Sequence, residues 1–188
     1  MRYLCAILCF AARVCLAVPD RLPDVVFRDL ADVPRHPLEP AEKDASVLVF
    51  FWQDCPVSNG YAPELNRIAA SHTNCAFYIV QVDPELTPAA AREHAKQYHL
   101  SMPVLLDPRH QLVKLARATV TPEAVVFGKN GDVLYRGRID DNYAAFGKKR
   151  ASARQHDLID ALDAIVTGQP VKLKETKAIG CLIQENKL

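Results

Sequence analysis

The sequence predicts an α/β fold, with a central mixed sheet and helices on both faces. Short apolar runs rich in β-branched and aromatic residues alternate with stretches of helical period, as is typical of this class. The turn Lys129-Asn130-Gly131-Asp132 predicts that the sheet ends in an antiparallel hairpin. A length of 188 residues suits a single domain, and a net charge of +1 gives no reason to expect nucleic acid as a partner.

The run Val47 to Trp52 predicts the central strand of this sheet. It is apolar throughout and shows no polar alternation, which indicates a strand covered on both faces. Cys55 follows the end of this strand. Pro56 suits the first turn of a helix, because its φ is preset and a free N–H is not needed there. We therefore expect a helix from Pro56 through about Ala70, with Cys55 at its N-terminus.

The remaining elements follow from the same reasoning. The run 75–82 predicts a second buried strand, and Thr87 can cap a helix that begins at Pro88. Apolar spacing gives a last helix from about Ser152, and Gly168 ends it. We expect further short strands over 103–106, 124–127 and 133–135, a short helix over 112–116, and an extended segment or hairpin within 19–44.

The N-terminus has the features of a secretory signal peptide over residues 1–17. One basic residue, Arg2, precedes an apolar stretch, and Ala17 is a small residue at which cleavage can occur. The apolar stretch is shorter than the roughly 20 residues that span a bilayer, so no stable membrane insertion of the mature chain is expected. This predicts a secreted or periplasmic protein with a domain over 18–170 and a tail over 171–188.

Removal of the leader leaves three cysteines, Cys55, Cys75 and Cys181. In an oxidising compartment an odd number means that at least one thiol is free, catalytic or paired between chains. Their spacing resembles no zinc ribbon, and the histidines form no metal-binding pair, so we expect no metal and no cofactor. Cys55 is the candidate nucleophile, because backbone N–H groups and the dipole at a helix N-terminus favour a thiolate.

The stretch FWQDCPVSNGYAPEL resembles the active-site strand and helix of thioredoxin-like proteins, especially secreted redoxins of the alkyl hydroperoxide reductase/thiol-specific antioxidant and thiol reductase group. The matching positions are an aromatic pair, a Cys-Pro dipeptide at 55–56 and Pro63, eight residues after the cysteine. The stretch Thr87 to Leu106 is similar to the helix and strand that redoxins insert. The resemblance covers about residues 25–181.

The resemblance implies a second landmark at Thr121-Pro122, just before the strand AVVF. It is similar to the family's threonine and cis-proline, which face the active cysteine. A cis bond there would turn the Thr121 backbone outwards to pair with an extended substrate. We therefore expect Thr121, Pro122 and Pro56 to contact substrate, with Trp52 as an apolar wall beside the thiol.

The motif departs from the common CxxC in having Ser58 at its fourth position. A serine cannot resolve a mixed disulfide, but its hydroxyl can donate a hydrogen bond to the Cys55 thiolate and lower the pKa of Cys55. The charge of Asp54 acts in the opposite direction, so the sign of the net pKa shift stays open. The second thiol must come from an external reductant or from elsewhere in the chain.

Cys181 is the candidate resolving thiol, because it lies on a tail that can return over the sheet, after a glycine that permits a tight bend. In a rival pairing, Cys75 and Cys181 form a structural disulfide and Cys55 stays free. Cys75, at the start of an apolar strand, fits a small buried side chain better than a reactive thiol.

Three functions are compatible with these residues. The first is thiol–disulfide exchange at Cys55 with protein or small-molecule disulfides, followed by reduction by an external thiol or a thioredoxin-like electron donor. The second is reduction of a peroxide through a Cys55 sulfenic acid. Peroxiredoxins place a threonine three residues before the cysteine, where this chain has Trp52, and this favours the first function. The third is a binding module without turnover.

Overall fold

The computed structural model describes residues 25–184. Four helices and eleven strands lie in this range, and seven of the strands have only two or three residues. The helices are α1 (Pro56–Ser71), α2 (Pro88–Gln97), α3 (Gln111–Ala116) and α4 (Asp157–Val166). The strands are β1 (Phe27–Arg28), β2 (Pro34–Arg35), β3 (Ala45–Phe51), β4 (Cys75–Gln81), β5 (Val104–Leu106), β6 (Val120–Thr121), β7 (Glu123–Gly128), β8 (Val133–Gly137), β9 (Tyr143–Ala145), β10 (Lys148–Lys149) and β11 (Cys181–Leu182).

Five strands form the central sheet in the order β5-β4-β3-β7-β8. The strands β3, β4 and β5 are parallel, whereas β7 is antiparallel to β3 and β8 is antiparallel to β7. The sheet is therefore mixed and ends in a hairpin, as the sequence predicted. β3 is the central strand, and all seven of its residues are buried.

Both faces of the sheet are covered. Along β3, Val47, Val49 and Phe51 face a core that includes apolar residues of α1 and α4. The alternate residues Leu48 and Phe50 face a second core, which includes residues of α3. Continuous burial of a central strand needs helices on both sides, and this explains why β3 shows no polar alternation.

The predicted strands and helices are present, and most begin or end within one or two residues of the expected positions. Thr87 caps α2 by accepting a hydrogen bond from the backbone N–H of Ala90. The exception is α4, which begins at Asp157 and not near Ser152. Asp141 accepts hydrogen bonds from the backbone N–H groups of Arg154 and Gln155, and these contacts hold the preceding residues outside the helix.

The N-terminal part of the described chain is the short hairpin of β1 and β2. A bridge between Asp29 and Leu105 attaches it to β5, so it covers one edge of the sheet, as the extended segment was expected to do. The predicted leader, 1–17, lies outside the described residues. Within 25–184, every helix is too short or too polar to cross a membrane.

The tail returns over the sheet by way of β8. Arg136 donates its backbone N–H to Lys174 and accepts a hydrogen bond from the N–H of Thr176. The Thr176 hydroxyl also accepts from the Arg138 N–H and shares a hydrogen bond with the Tyr135 hydroxyl, 2.7 Å away. These contacts direct the tail from α4 towards β6, where it forms β11.

The ion pair between Arg138 and Asp157 should make a large contribution to stability. Arg138 Nε lies 2.7 Å from Asp157 Oδ2, and the Asp157 side chain is only 5% exposed. An Arg138→Met variant should lower the free energy of unfolding by about 3 kcal/mol, because the remaining carboxylate would be buried without its partner. Urea unfolding measures this loss.

The matched control is Arg67→Met, which removes an arginine from the exposed pair with Glu64 on α1. Exposed pairs contribute little, so this variant should lose less than about 1 kcal/mol. Equal losses in the two variants would contradict the importance assigned to burial of Asp157.

Candidate active site

Cys55 lies where three parts of the fold meet: the segment after β3, the N-terminus of α1 and the residues of β6. It is the N-cap residue of α1, and Pro56 occupies the first turn, as the sequence predicted. The Cys55 carbonyl accepts the N–H of Asn59 at 3.0 Å, which is the first hydrogen bond of the helix. The sulfur therefore lies at the end of the helix where backbone N–H groups are unpaired and the dipole is positive.

The Thr121-Pro122 peptide bond is cis, as expected, and it lies beside Cys55. In the thiol form, Cys55 Sγ donates a hydrogen bond to the Thr121 carbonyl oxygen at 3.1 Å. The fold thus brings together two motifs that are 66 residues apart in the sequence. Their predicted role in binding substrate stays a prediction.

The tail of the chain pairs with the backbone of Thr121. β11 is antiparallel to β6, with Cys181 opposite Thr121 and Leu182 opposite Val120. The N–H of Ile183 extends the pairing by donating to the Thr119 carbonyl at 2.9 Å. This is the strand-addition position at which the sequence analysis expected an extended substrate.

Gly180 allows the tail to approach this closely. A β-carbon at residue 180 would overlap with the carbonyl oxygen of Thr121 and would lie 3.2 Å from Cδ of Pro122. Only glycine fits without displacing the backbone of one of the two segments. The sequence suggested a tight bend at this glycine. The structure shows instead that Gly180 is needed because a side chain there would overlap with Thr121.

The Cys55 and Cys181 thiols are neighbours, and all three cysteines at 55, 75 and 181 are unbonded. Burial raises the pKa of Cys55, but hydrogen bonds to the thiolate more than offset this effect, so the pKa lies below its ordinary value. The donors are the Cys181 thiol, the backbone N–H and hydroxyl of Ser58, and the Thr121 hydroxyl. The structure therefore gives the sign that the sequence left open.

The pKa of Cys181 is shifted in the opposite direction, upwards. Burial, the hydrogen bond that its thiol donates to Cys55 and the negative charge of the Cys55 thiolate raise the pKa of Cys181 to about 12. When the pair loses one proton, the negative charge therefore resides on Cys55 and the remaining proton on Cys181. Two adjacent thiols with pKa values moved in opposite directions can serve as nucleophile and second thiol.

Cys75 is remote from this pair. It lies opposite Ala45, at the far end of β3, about 20 Å along the strand from the end that leads to Cys55. Burial and the charge of Asp44 raise the pKa of Cys75 to about 11. This placement fits a small buried side chain, and it does not support the rival pairing of Cys75 with Cys181.

The hydroxyl of Ser58 is near the Cys55 sulfur and has no other hydrogen-bond partner among the described residues. Its hydroxyl is buried and makes no hydrogen bond within residues 25–184 while Cys55 is a thiol. When Cys55 is a thiolate, the Ser58 hydroxyl can donate a hydrogen bond to the sulfur, and this hydrogen bond lowers the pKa of Cys55. This is the contact that the sequence analysis expected at the fourth position of the motif, and its part in turnover stays a prediction.

Cys55 has no exposed surface, although Pro56 is exposed and Trp52 is partly exposed. The tail lies over this site, because Cys181 on β11 is paired with Thr121, whose carbonyl accepts the hydrogen bond of the Cys55 thiol. Trp52 packs against both cores, which gives it a structural role, and its role as an apolar wall beside the thiol stays a prediction. With no surface open to water, Cys55 is reached by a small molecule only after a local movement, and by an extended peptide only after a larger one that displaces the tail.

A groove of about 700 Å³ lies beside the N-terminus of α1 and was not foreseen from the sequence. His94 lines it, and its Nε2 lies 2.9 Å from the Asn59 side-chain oxygen. Burial lowers the pKa of His94, and the charge of Asp54 opposes this effect. The other lining residues are Gln53, Asp54, Pro56, Asn59, Ala90, Glu93, Gln97 and Tyr98.

Tyr143 is a second residue near Cys55 that no local motif indicated. Its ring packs on Tyr61, with 5.2 Å between the ring centroids. Burial and the negative charge of the Cys55 thiolate raise the pKa of Tyr143. Only the folding of β9 towards α1 brings Tyr143 to this position.

One group of side chains has the arrangement of a metal site. The ligand atoms of Glu64, Asp140 and His156 lie within 4.8 Å of one another. The Asp140 carboxylate already accepts hydrogen bonds from the Tyr61 hydroxyl and the N–H of Asn142, and Glu64 pairs with Arg67. Two of the three groups, Glu64 and Asp140, thus have protein partners, so the arrangement gives no reason to assign a metal.

Solved structures share this fold. An uncharacterized conserved protein from Geobacillus kaustophilus superimposes with a TM-score of 0.74 at 23% identity, covering 89% of this chain and 92% of that one. A hypothetical protein from Sinorhizobium meliloti gives 0.73 at 23% identity, covering 89% and 94%. A secreted Mycobacterium tuberculosis disulfide oxidoreductase homologous to E. coli DsbE gives 0.56 at 19% identity, covering 75% and 96%. The fold is thioredoxin-like, with the helix and strand that redoxins insert.

A search of curated protein sequences gives no match. The AhpC/TSA family profile matches residues 18–136, which is more than half of the chain. The matched region includes Cys55, Ser58 and the cis bond before Pro122, and it ends before the tail that carries Cys181. By this match, and by the redoxin fold that holds Cys55 against the cis bond, the chain belongs to the AhpC/TSA family.

Proposed function

We propose that the protein is a thiol-based oxidoreductase in which Cys55 is the nucleophile and Cys181 is the second thiol. The observation that carries this proposal is the position of both thiols at Thr121, beside its cis bond to Pro122: the Thr121 carbonyl accepts the Cys55 thiol hydrogen bond, and Cys181 is the residue paired with Thr121 on β11. Ser58 cannot act as the second thiol, and Cys75 lies at the far end of the sheet. In a CxxC motif the two thiols are close because they are close in the sequence, whereas here the folding of the tail brings Cys181 towards Cys55.

In disulfide exchange, the Cys55 thiolate attacks one sulfur of a substrate disulfide. A mixed disulfide with Cys55 forms, and the other half of the substrate leaves as a thiolate. Cys181 then gives its proton to the thiolate that has left, or to water, and attacks the Cys55 sulfur, which releases the remaining half of the substrate as a second thiolate. The substrate gains two electrons, and the protein ends with a Cys55–Cys181 disulfide.

The electrostatics of the pair suit this order of events. While Cys55 is a thiolate, its charge and the hydrogen bond that it accepts raise the pKa of Cys181, so that Cys181 stays protonated. Once Cys55 is in a mixed disulfide, both causes disappear and the pKa of Cys181 falls. Cys181 thus becomes a nucleophile only after the first step has occurred.

Peroxide reduction is the second candidate function, and the burial of Cys55 favours it. With no exposed surface at Cys55 and the tail on Thr121, a small oxidant reaches the sulfur more readily than an extended peptide does. The thiolate would take one oxygen from the peroxide to form a sulfenic acid, and the alcohol or water would leave. Cys181 would then displace water to give the same disulfide.

Stopped-flow measurement of thiol loss tests the proposal and separates the two reactions. The reduced protein is mixed with hydrogen peroxide, with cystine or with a disulfide-linked peptide. We expect loss of two thiols per chain and a Cys55–Cys181 bridge in peptide mass maps. Rapid reaction with peroxide alone would assign the second function, and reaction with disulfides alone would assign the first.

The matched variants are Cys55→Ser and Cys75→Ser. The first should abolish oxidation by either oxidant, and the second should leave it unchanged because Cys75 is remote and buried. If neither oxidant reacts in a manner that depends on Cys55, the domain is a binding module without turnover. The predicted secretion would place the protein in an oxidising compartment, where an external thiol or a thioredoxin-like donor must return it to the reduced state.

A further inference from the structure

The short hairpin of β9 and β10 carries a concentration of positive charge. Its turn is formed by Phe146 and Gly147. The stretch 143–155 has four cationic residues and no acidic residue, although the net charge of the whole chain is only +1. The charge is therefore local to one part of a nearly neutral protein. The cationic residues are Lys148, Lys149, Arg150 and Arg154.

Two of these cations, Lys148 and Lys149, are exposed and available to a partner. Among the residues that the structure describes, neither forms an ion pair, whereas Arg150 pairs with a buried carboxylate. Lys149 Nζ lies 5.6 Å from the centre of the Tyr143 ring. At the turn, Phe146 is 61% exposed. An exposed aromatic ring can anchor an interface, and the cations around it select a partner by charge.

The base of the hairpin lies on α1, near the thiols. Tyr143 is the first residue of β9, and its ring packs on Tyr61. A β-carbon at Gly60 would overlap with the Tyr143 hydroxyl. Gly60 and Tyr61 belong to the helix that Cys55 caps, roughly 8 Å along its axis from Cys55. A protein bound to the hairpin would therefore lie beside the active site.

We propose that the hairpin of β9 and β10 is the docking surface for an acidic dithiol protein that reduces the Cys55–Cys181 disulfide. This inference rests on the proposed function, because it names the partner that would return this disulfide to two thiols. Carboxylates of the partner would face Lys148 and Lys149, and an apolar side chain would cover Phe146. Opposite charges speed the encounter and orient the partner before the thiols react.

The reaction transfers two electrons from the partner to this protein. A thiolate of the partner attacks the Cys55–Cys181 disulfide, a mixed disulfide forms, and one thiolate of this protein leaves. The second thiol of the partner loses its proton and attacks the partner sulfur of the mixed disulfide, which releases the other thiolate of this protein. The partner departs as a disulfide, and its two protons pass to the released thiolates or to water.

An anionic lipid surface would also attract these cations, but the structure favours a protein. Stable attachment to a membrane takes a second, hydrophobic signal besides a basic patch, such as an acyl chain. The hairpin tip offers one large apolar side chain, that of Phe146. The contact of the hairpin base with α1 places a bound partner near the thiols, which is what a redox protein needs and a lipid surface does not.

Charge-matched dithiol peptides test the proposal. Three peptides contain the same pair of cysteines, flanked by glutamates, by glutamines or by lysines, and each is mixed with protein whose Cys55–Cys181 bridge was formed with diamide. Each rate of bridge loss is divided by the rate of the same peptide with hydroxyethyl disulfide, which removes differences in thiol reactivity. At low ionic strength the glutamate peptide should be about 10-fold faster than the lysine peptide, and salt at about 0.5 M should abolish the difference.

Charge variants locate the surface that is responsible. Lys148→Gln/Lys149→Gln should remove the preference for the glutamate peptide, and Lys148→Glu/Lys149→Glu should reverse it. The matched control is Arg109→Glu/Lys114→Glu, which makes the same change in net charge at exposed positions next to α3. Because α3 packs on the opposite face of the sheet from α1, this variant should keep the preference. Bridge formation with diamide shows that the thiol site of each variant is intact.

The outcomes that contradict the proposal are distinguishable. If the bridge forms but the normalised rates of the three peptides are equal, or if the control variant loses the preference as fully as the hairpin variants, only this inference is wrong. If oxidation never links Cys55 to Cys181, the proposed function and this inference fail together. Sedimentation with phosphatidylglycerol vesicles that depends on Lys148 and Lys149, together with equal peptide rates, would assign the hairpin to a membrane instead.

Discussion

A Gly180→Ala variant should form the Cys55–Cys181 disulfide about 100-fold more slowly than the wild-type protein, because a displacement of about 1 Å between reacting groups can cost this much. The added β-carbon would overlap with the Thr121 carbonyl oxygen, so the tail has to move away from β6. Cys181 would move with it and lose contact with Cys55. The rate of bridge formation after oxidation with hydrogen peroxide or cystine measures the effect.

Displacement of the tail should slow bridge formation but increase the access of external reagents to Cys55. Cys55 is covered in the wild-type protein, so a bulky aromatic disulfide such as Ellman's reagent should react faster with Cys55 in the Gly180→Ala variant. A slower bridge together with a faster reaction at Cys55 distinguishes a displaced tail from a general loss of folding. Unchanged rates in both assays would show that Gly180 does not position the tail.

The matched control is Gly168→Ala, at the end of α4. This glycine has a φ of +68° and no atom within 4 Å of the place where a β-carbon would lie. Alanine there should cost about 1 kcal/mol of stability through backbone strain. It should leave the rate of bridge formation unchanged, because the contact of Gly180 with Thr121 is intact.

A Cys181→Ala variant should raise the pKa of Cys55 and reduce the thiolate fraction near neutral pH. Although burial raises the pKa of Cys55, the hydrogen bond from the Cys181 thiol is the largest of the effects that lower it. Alkylation by iodoacetamide follows the thiolate, so its rate rises with pH and levels off above the pKa. The midpoint of this profile should lie below the ordinary cysteine value in the wild-type protein and move to higher pH in the variant.

Two further variants make this prediction specific. Cys181→Ser keeps a hydroxyl that can donate to the thiolate, so its midpoint should lie between those of the wild-type protein and Cys181→Ala. Ser58→Ala removes another donor to Cys55 and should also move the midpoint upwards. The midpoint is the appropriate measure, since removal of the Cys181 side chain opens space and can raise the absolute rate. A midpoint that stays in place in all three variants would refute the hydrogen-bonded thiolate.

The positions of Ser58 and Cys181 explain why a CxxS motif is compatible with the proposed two-thiol cycle. Ser58 occupies the place of the second cysteine and contributes a hydroxyl that lowers the pKa of Cys55. The second sulfur arrives from the tail, 126 residues later in the chain.

The sequence by itself determined the α/β class, the central strand and the position of Cys55 at the start of α1. These features depend on local patterns: a continuous apolar run over 47–52, a proline after the cysteine and an Asn-Gly turn between the last strands. The cis bond before Pro122 was inferred from resemblance, and the structure confirms it. Local patterns are readable because neighbouring residues along the chain determine the backbone conformation.

Only the tertiary structure decided which thiol meets Cys55 and how its pKa shifts. The pairing of Cys181 with Thr121 joins residues 60 positions apart, and no period or motif in either segment encodes it. The sign of the Cys55 pKa shift is a balance between burial and four hydrogen bonds from three separate segments. Such a balance exists only after the segments are packed together, because burial and hydrogen bonding both depend on distances that the linear chain does not contain.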